Sequence, residues 1–155
     1  MLATCLSPNK LVELSADSGQ CVREIALQSD IVDPRHGVQL TTGQYVVCDG
    51  DSWFNLHHRV CIVDDDGRAT RCYGGLFGSE VGQLNCPSHQ ALDEDSQLIF
   101  VADRDNNRVV ELSPTLEFVR HITGGLCQPR RLYLHQSTRR LYVAQSKGHI
   151  VVIQL

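Results

Sequence analysis

No stretch of the sequence approaches the ~18 consecutive apolar residues that a membrane-spanning helix requires. Its start, Met1-Leu2-Ala3-Thr4-Cys5-Leu6, lacks the basic residues and apolar length of a secretory signal. A reducing cytoplasmic setting with no membrane partner is therefore the expectation. The seven cysteines (5, 21, 48, 61, 72, 86 and 127) include no C-x-x-C pair and are odd in number, so they show neither a zinc spacing nor a closed disulfide plan. Cys48 and Cys61 lie inside apolar runs and read as free thiols packed in a core. No Gly-rich phosphate loop is present, and no Ser-His-Asp or Cys-His set stands in motif context. Asp103-Arg104-Asp105-Asn106-Asn107 lacks the Gly and the closing Glu of a calcium loop, and Asp64-Asp65-Asp66-Gly67 lacks its alternating spacing. The expectation is no catalytic residue, no metal site and no cofactor.

Acid is missing from one end. The 155 residues carry 14 basic and 18 acidic side chains, a net charge of −4, which argues against a chain that binds nucleic acid over its whole surface. No acid follows Glu117, whereas Arg120, Arg130, Arg131, Arg139, Arg140 and Lys147 do, so residues 118–155 carry +6. Such a run is either a solvated face or a patch for an anionic partner.

The chain repeats itself. A shift of 42 lays Leu98-Ile99-Phe100-Val101-Ala102-Asp103 on Arg140-Leu141-Tyr142-Val143-Ala144-Gln145 and Pro87 on Pro129. A shift of 98 lays Asn107-Arg108-Val109-Val110-Glu111-Leu112-Ser113 on Asn9-Lys10-Leu11-Val12-Glu13-Leu14-Ser15 without a gap. Arg59-Val60-Cys61-Ile62-Val63, behind Pro34 and a strand ending at Asp49, is a further copy. A period in the low forties, with short apolar strands and no helical pattern, is that of a propeller blade. Within one copy, Ser88–Asp93, Leu98–Ala102, Arg108–Leu112 and Glu117–Ile122 are separated by turn residues and make four strands. Asp66-Gly67 reads as a hairpin, and Gly74-Gly75, Gly78, Gly82 and Gly124-Gly125 as crossings between blades.

Gly82-Gln83-Leu84-Asn85-Cys86-Pro87, followed by Leu98 to Asp103, Asn106-Asn107-Arg108-Val109 and Phe118-Val119-Arg120, resembles one full NHL repeat. The other copies are degenerate; in the last, Gln145 replaces the strand-end Asp and His149 the Arg. The resemblance covers essentially the whole chain and implies an all-β propeller, six-bladed in most of the family, with four antiparallel strands per blade. Six blades of roughly 42 residues need about 250 residues. The expectation is thus one partial propeller segment, 1–155, of about three and a half blades: 1–27 (partial), 28–73, 74–122 and 123–155 (partial). Remaining blades would come from a longer parent, the favoured reading, or from self-association.

The resemblance also implies function: a non-catalytic module that binds a protein partner, as a substrate-recruiting part of a tripartite-motif ubiquitin ligase. Ligase activity would need a RING domain elsewhere in such a parent. One alternative is an RNA-binding face on the basic last blade, using Arg130, Arg131, Arg139 and Arg140 near Tyr133 and Tyr142. Strand alternation speaks against Arg130 and Arg131 sharing one surface. The other alternative is a fragment of an amidating-lyase-like propeller. Trp53, Phe54, His57 and His58 lie in an insertion between strands and are candidate contact residues, because irregular insertions carry function more often than repeat-regular positions. Asp49 with Arg59 and Asp103 with Arg108 recur at strand junctions and read as structural ties.

Overall fold

The computed structural model describes residues 1–50 and 57–155. Its strands form four consecutive antiparallel meanders. The first sheet holds β1 (Leu2–Leu6), β2 (Asn9–Leu14) and β3 (Cys21–Ala26). The second holds β4 (His36–Gln39), β5 (Tyr45–Asp49), β6 (His58–Val63) and β7 (Ala69–Gly75). The third holds β8 (Pro87–Leu92), β9 (Ile99–Asp103), β10 (Arg108–Leu112) and β11 (Phe118–Ile122), and the fourth β12 (Pro129–His135), β13 (Arg140–Gln145) and β14 (Ile150–Gln154). The architecture is all-β, a partial propeller.

The sheets hold together face to face. Alternation along each central strand sends successive side chains to opposite neighbours, which is why β5, β9 and β10 are buried at every position. Val46, Val60 and Ile62 of the second sheet meet Ile99, Val101, Val110 and Leu112 of the third. Ala91, Phe100 and Ala102 of the third meet Leu132, Leu134, Leu141 and Val143 of the fourth. Leu11 and Ile25 of the first meet Tyr45, Val47 and Val63 of the second. Each such aliphatic side chain contributes about 1.5–3 kcal/mol on burial, so these three layers are the main cohesive term.

The crossing into each inner strand is made by a residue in the left-handed region before a proline: Asp33 before Pro34, Cys86 before Pro87, Gln128 before Pro129. Gly67, at φ +82, turns the β6–β7 hairpin so close to the first sheet that a Cβ there would lie 1.8 Å from the Ala26 carbonyl oxygen. Cys61 departs from the free-thiol expectation: it forms a disulfide with Cys72, its direct partner across β6 and β7. The sequence separation of 11 hides a pairing that strand register creates. Cys48 is free and fully buried.

Candidate functional site

The four-stranded sheets have two unlike ends. Tight hairpins such as Asp64–Arg68 and Asp93–Gln97 close one end. At the other lie the crossings between sheets, Pro34 just before β4, the prolines that open β8 and β12, and the ends of β5 and β9.

Two repeated ion pairs frame this crossover end. Arg108 Nε donates to Asp103 Oδ2 at 2.7 Å, and its two terminal nitrogens donate to the carbonyls of Ser79 and Gln83, pinning the crossing from the second sheet. Asp103 also accepts from the Asn85 backbone N–H and from Asn106 Nδ2. Arg59 Nε spans both oxygens of Asp49 at 3.2 and 3.1 Å, and Arg59 Nη2 reaches the Asp30 carbonyl at 2.7 Å. Burial raises the Asp103 carboxyl above its usual range and pushes Asp49 up to about 6, against the pull of the arginines. A carboxylate and a guanidinium whose bonding capacity is spent on turns tie crossings to strands.

At the same end a recess of about 280 Å³ is lined by Arg35, Arg104, Arg130 and Arg131, with Ser88, Thr4, Pro34 and Leu6. Arg130 and Arg131 both reach it, contrary to the expectation from alternation. The register of β12 against β13 shifts between Pro129 and Arg131, and this bulge breaks the two-residue period. The same irregularity lies between Pro87 and His89 and frees Ser88, whose Oγ donates toward the Pro129 carbonyl at 3.2 Å. Arg130 Nε donates to Ser146 Oγ at 2.7 Å, and Arg104 Nε pairs with Asp105 at 2.8 Å.

Beneath the recess, His36, His89 and Arg131 hold equivalent places in β4, β8 and β12, each opposite the residue before the strand-end Asp or Gln. His36 Nδ1 accepts from the Gln90 backbone N–H at 3.4 Å, and His89 Nδ1 from that of Leu132 at 3.3 Å. Burial, with the Arg131 charge adding to it, lowers His36 to about 4; burial, the His36 ring and Arg131 lower His89 to about 3. Both rings are neutral at pH 7, and Arg131 carries the charge of this ladder.

The other expected positions scatter. Trp53 and Phe54 lie outside the described residues. His57 is partly buried. His58 is 5% exposed and presents no surface to a partner, because it opens β6 and its Nδ1 accepts from the Cys86 backbone N–H at 2.8 Å. Arg139 and Arg140 lie at the hairpin end. Arg140 pairs in register with His135, four residues beyond Arg131, or about 13 Å of strand. The four arginines of the fourth sheet therefore do not form one patch. Arg139 donates to the buried carboxylate of Asp93, a tie between the third and fourth sheets that sequence reasoning missed. Burial pushes the Asp93 carboxyl up, but hydrogen bonds from Ser96 and Arg139 outweigh it and hold the group below its usual value.

Sequence reasoning also missed Arg35, Ser88 and Arg104. A signal for the first two was available: Arg35, Ser88 and Arg130 each follow the proline at the entry to the first strand of a sheet. Among the described residues no group of three or more His, Cys, Asp or Glu is placed to hold a metal ion.

No protein-family model matches the sequence, and no curated protein matches it. Solved structures do match. Over 96% of its length the chain superposes on a protein of unknown function from Bacteroides caccae, with a TM-score of 0.72 and 17% identity, covering 56% of that chain. It superposes over 99% on hydrazine synthase of Kuenenia stuttgartiensis (TM-score 0.66, 14% identity, 54% of that chain). The β-propeller domain of Cps50 (Swd1) from Myceliophteria thermophila gives a TM-score of 0.63 at 15% identity, with 99% of this chain and 47% of that one covered. The chain spans about half the length of each, and likeness at such identities is likeness of fold.

Proposed function

We propose that the chain is a non-catalytic recognition module of NHL type that docks an acidic segment of a protein partner at its crossover end. The observation that carries this reading is the bulge at Arg130, which brings Arg130 and Arg131 together with Arg35 and Arg104 around one recess. Planar guanidinium groups at a concave, partly desolvated site favour carboxylates.

A protein rather than RNA is supported by what adjoins the arginines. The Arg104 backbone N–H bonds to the Cys86 carbonyl; the Cys86 N–H bonds to His58; and the His58 ring meets Phe77 edge-on at 5.9 Å. Phe77 is 68% exposed, and Leu76 and Val81 on the same crossing are also exposed, so cations and apolar anchors share one end. Tyr133 and Tyr142, the rings expected to stack on bases, stand on the side of the fourth sheet. The NHL assignment rests on the repeat residues; a tripartite-motif parent rests on that resemblance alone and forms no part of the reading.

Fluorescence anisotropy tests it with three labelled probes: a Glu-rich peptide containing Leu and Phe, a Lys-rich counterpart and a single-stranded RNA. The acidic peptide binds, added salt weakens it, and Arg130→Glu with Arg131→Glu weakens it at least tenfold, while Arg140→Glu leaves it unchanged. Preference for RNA, with Arg140→Glu as costly as Arg130→Glu, overturns the reading. So does absence of binding to all three probes.

A further inference from the structure

The repeat puts unlike side chains at one position of three consecutive sheets, and that difference shapes the recess. Arg35, Ser88 and Arg130 each follow the proline at the entry to the first strand of the second, third and fourth sheets. The middle one is small. A serine between two arginines leaves the space that the arginines on either side line, and Ser88 holds its place there through its Oγ, which donates toward the Pro129 carbonyl at 3.2 Å. Arg131 joins through the bulge in β12, and Arg104 from the turn that follows β9. At about 280 Å³ the recess is smaller than the ~300–1,000 Å³ of pockets that enclose a whole small molecule. It takes one polar group of a larger ligand.

The charges nearby narrow which group. Several carboxylates at this end are already paired: Asp49 and Asp30 with Arg59, Asp103 with Arg108, and Asp105 with Arg104. Arg130 and Arg131 direct bonds at neutral oxygens instead, Arg130 Nε at Ser146 Oγ at 2.7 Å and Arg131 Nη1 at the Arg130 carbonyl at 3.0 Å. Two adjacent guanidinium groups thus bring two positive charges to one small volume. A carboxylate that meets one guanidinium along its paired N–H edge has both oxygens engaged and offers one negative charge. A phosphomonoester carries about −1.5 to −2 at pH 7 and keeps a third strong acceptor oxygen for the second arginine.

We infer that the group seated in this recess is a phosphomonoester on a serine or threonine of the partner, so that the chain recognises a phosphorylated segment. This rests on the recognition reading and narrows its ligand class. Arg130 and Arg131 hold the phosphate, Arg35 and Arg104 add charge at the rim, and the small Ser88 gives the depth. Leu76 and Phe77, exposed on the neighbouring crossing, take apolar residues of the same segment.

Fluorescence anisotropy on the 155-residue chain tests this with three labelled peptides of one Leu- and Phe-containing sequence, which differ only in bearing phosphoserine, Glu or Ser at a central position. The phosphoserine peptide binds at least tenfold more tightly than the Glu peptide, and inorganic phosphate displaces it where chloride of equal ionic strength does not. Arg130→Lys with Arg131→Lys keeps the charge but loses the paired N–H geometry. It weakens the phosphoserine peptide at least tenfold, changes the Glu peptide less than threefold and keeps the β signature in circular dichroism. The phosphorus NMR resonance of the phosphopeptide shifts on adding the parent chain and stays in place with the variant. Equal affinity for the phosphoserine and Glu peptides overturns the inference and leaves the recognition reading standing. Tight phosphopeptide binding that survives Arg130→Lys with Arg131→Lys overturns it too, because the phosphate then sits elsewhere. Absence of binding by all three peptides overturns both.

Discussion

The imidazole of His36 stacks on that of His89, with centroids 3.6 Å apart and planes 22° from parallel, across the boundary between the second and third sheets. Each ring accepts a backbone N–H from the following sheet, so each must stay neutral for the boundary to hold.

Acid should therefore loosen the molecule at this boundary. The folded values, about 4 for His36 and about 3 for His89, lie below the ordinary 6.5. The stability these rings contribute is complete above pH 6.5 and is lost as pH falls toward 4, because only the unfolded chain takes up protons in that window. For His36 the displacement corresponds to roughly 3 kcal/mol. Asp49, raised to about 6 by burial, acts in the opposite sense and gains stability as pH falls through that value. The histidine effect is thus isolated by comparison: the loss of melting temperature between pH 7 and 4.5 should be smaller in His36→Asn than in the parent chain. Equal losses would remove His36 from the account.

Arg108 is a costlier cation to delete than Lys10. Its side chain is 7% exposed against a fully buried Asp103, so Arg108→Ala leaves an uncompensated buried charge and should cost about 3–5 kcal/mol in urea unfolding. Lys10→Ala, which removes the exposed pair with Glu24, should cost less than about 1 kcal/mol.

Gly67 and Gly43 separate two costs of adding a methyl group. Both have positive φ, +82 and +87, but only Gly67 faces a backbone atom within 4 Å. Gly43→Ala should cost about 1 kcal/mol for conformation alone. Gly67→Ala should cost several times as much, because the hairpin must also move off the first sheet.

Thiol counting checks the cross-strand bond. Five cysteines are free, of which Cys21 and Cys127 are exposed. In the native protein a maleimide should react quickly at those two and leave Cys48 untouched, because burial pushes its thiol pKa up. Denaturation should raise the count to five, and denaturation after reduction to seven. Seven free thiols before reduction would restore the reading of Cys61 as a core thiol.

Repeat-regular features were legible in the residues, and exceptions to the repeat were not. Pro87 over Pro129 and the apolar strands around Phe100 and Tyr142 announced sheets of one type, because period and alternation are properties of local sequence. The bulge that turns Arg130 toward Arg131 leaves no mark in composition, and alternation applied to it gave the wrong face. His58 was misjudged for a related reason: its neighbours in sequence belong to an insertion, whereas its hydrogen-bond partner Cys86 is 28 residues away.

The order of strands, their grouping into repeating antiparallel sheets and the sites of the sharp turns were determined by the sequence itself. Each follows from steric preference and hydrophobic alternation over a few residues. Which arginines converge, which carboxylates are spent on ties and which cysteines meet were decided only in three dimensions. Those outcomes depend on register between strands and on the packing of one sheet against the next, and residues far apart in the chain acquire a shared chemistry only once that packing exists.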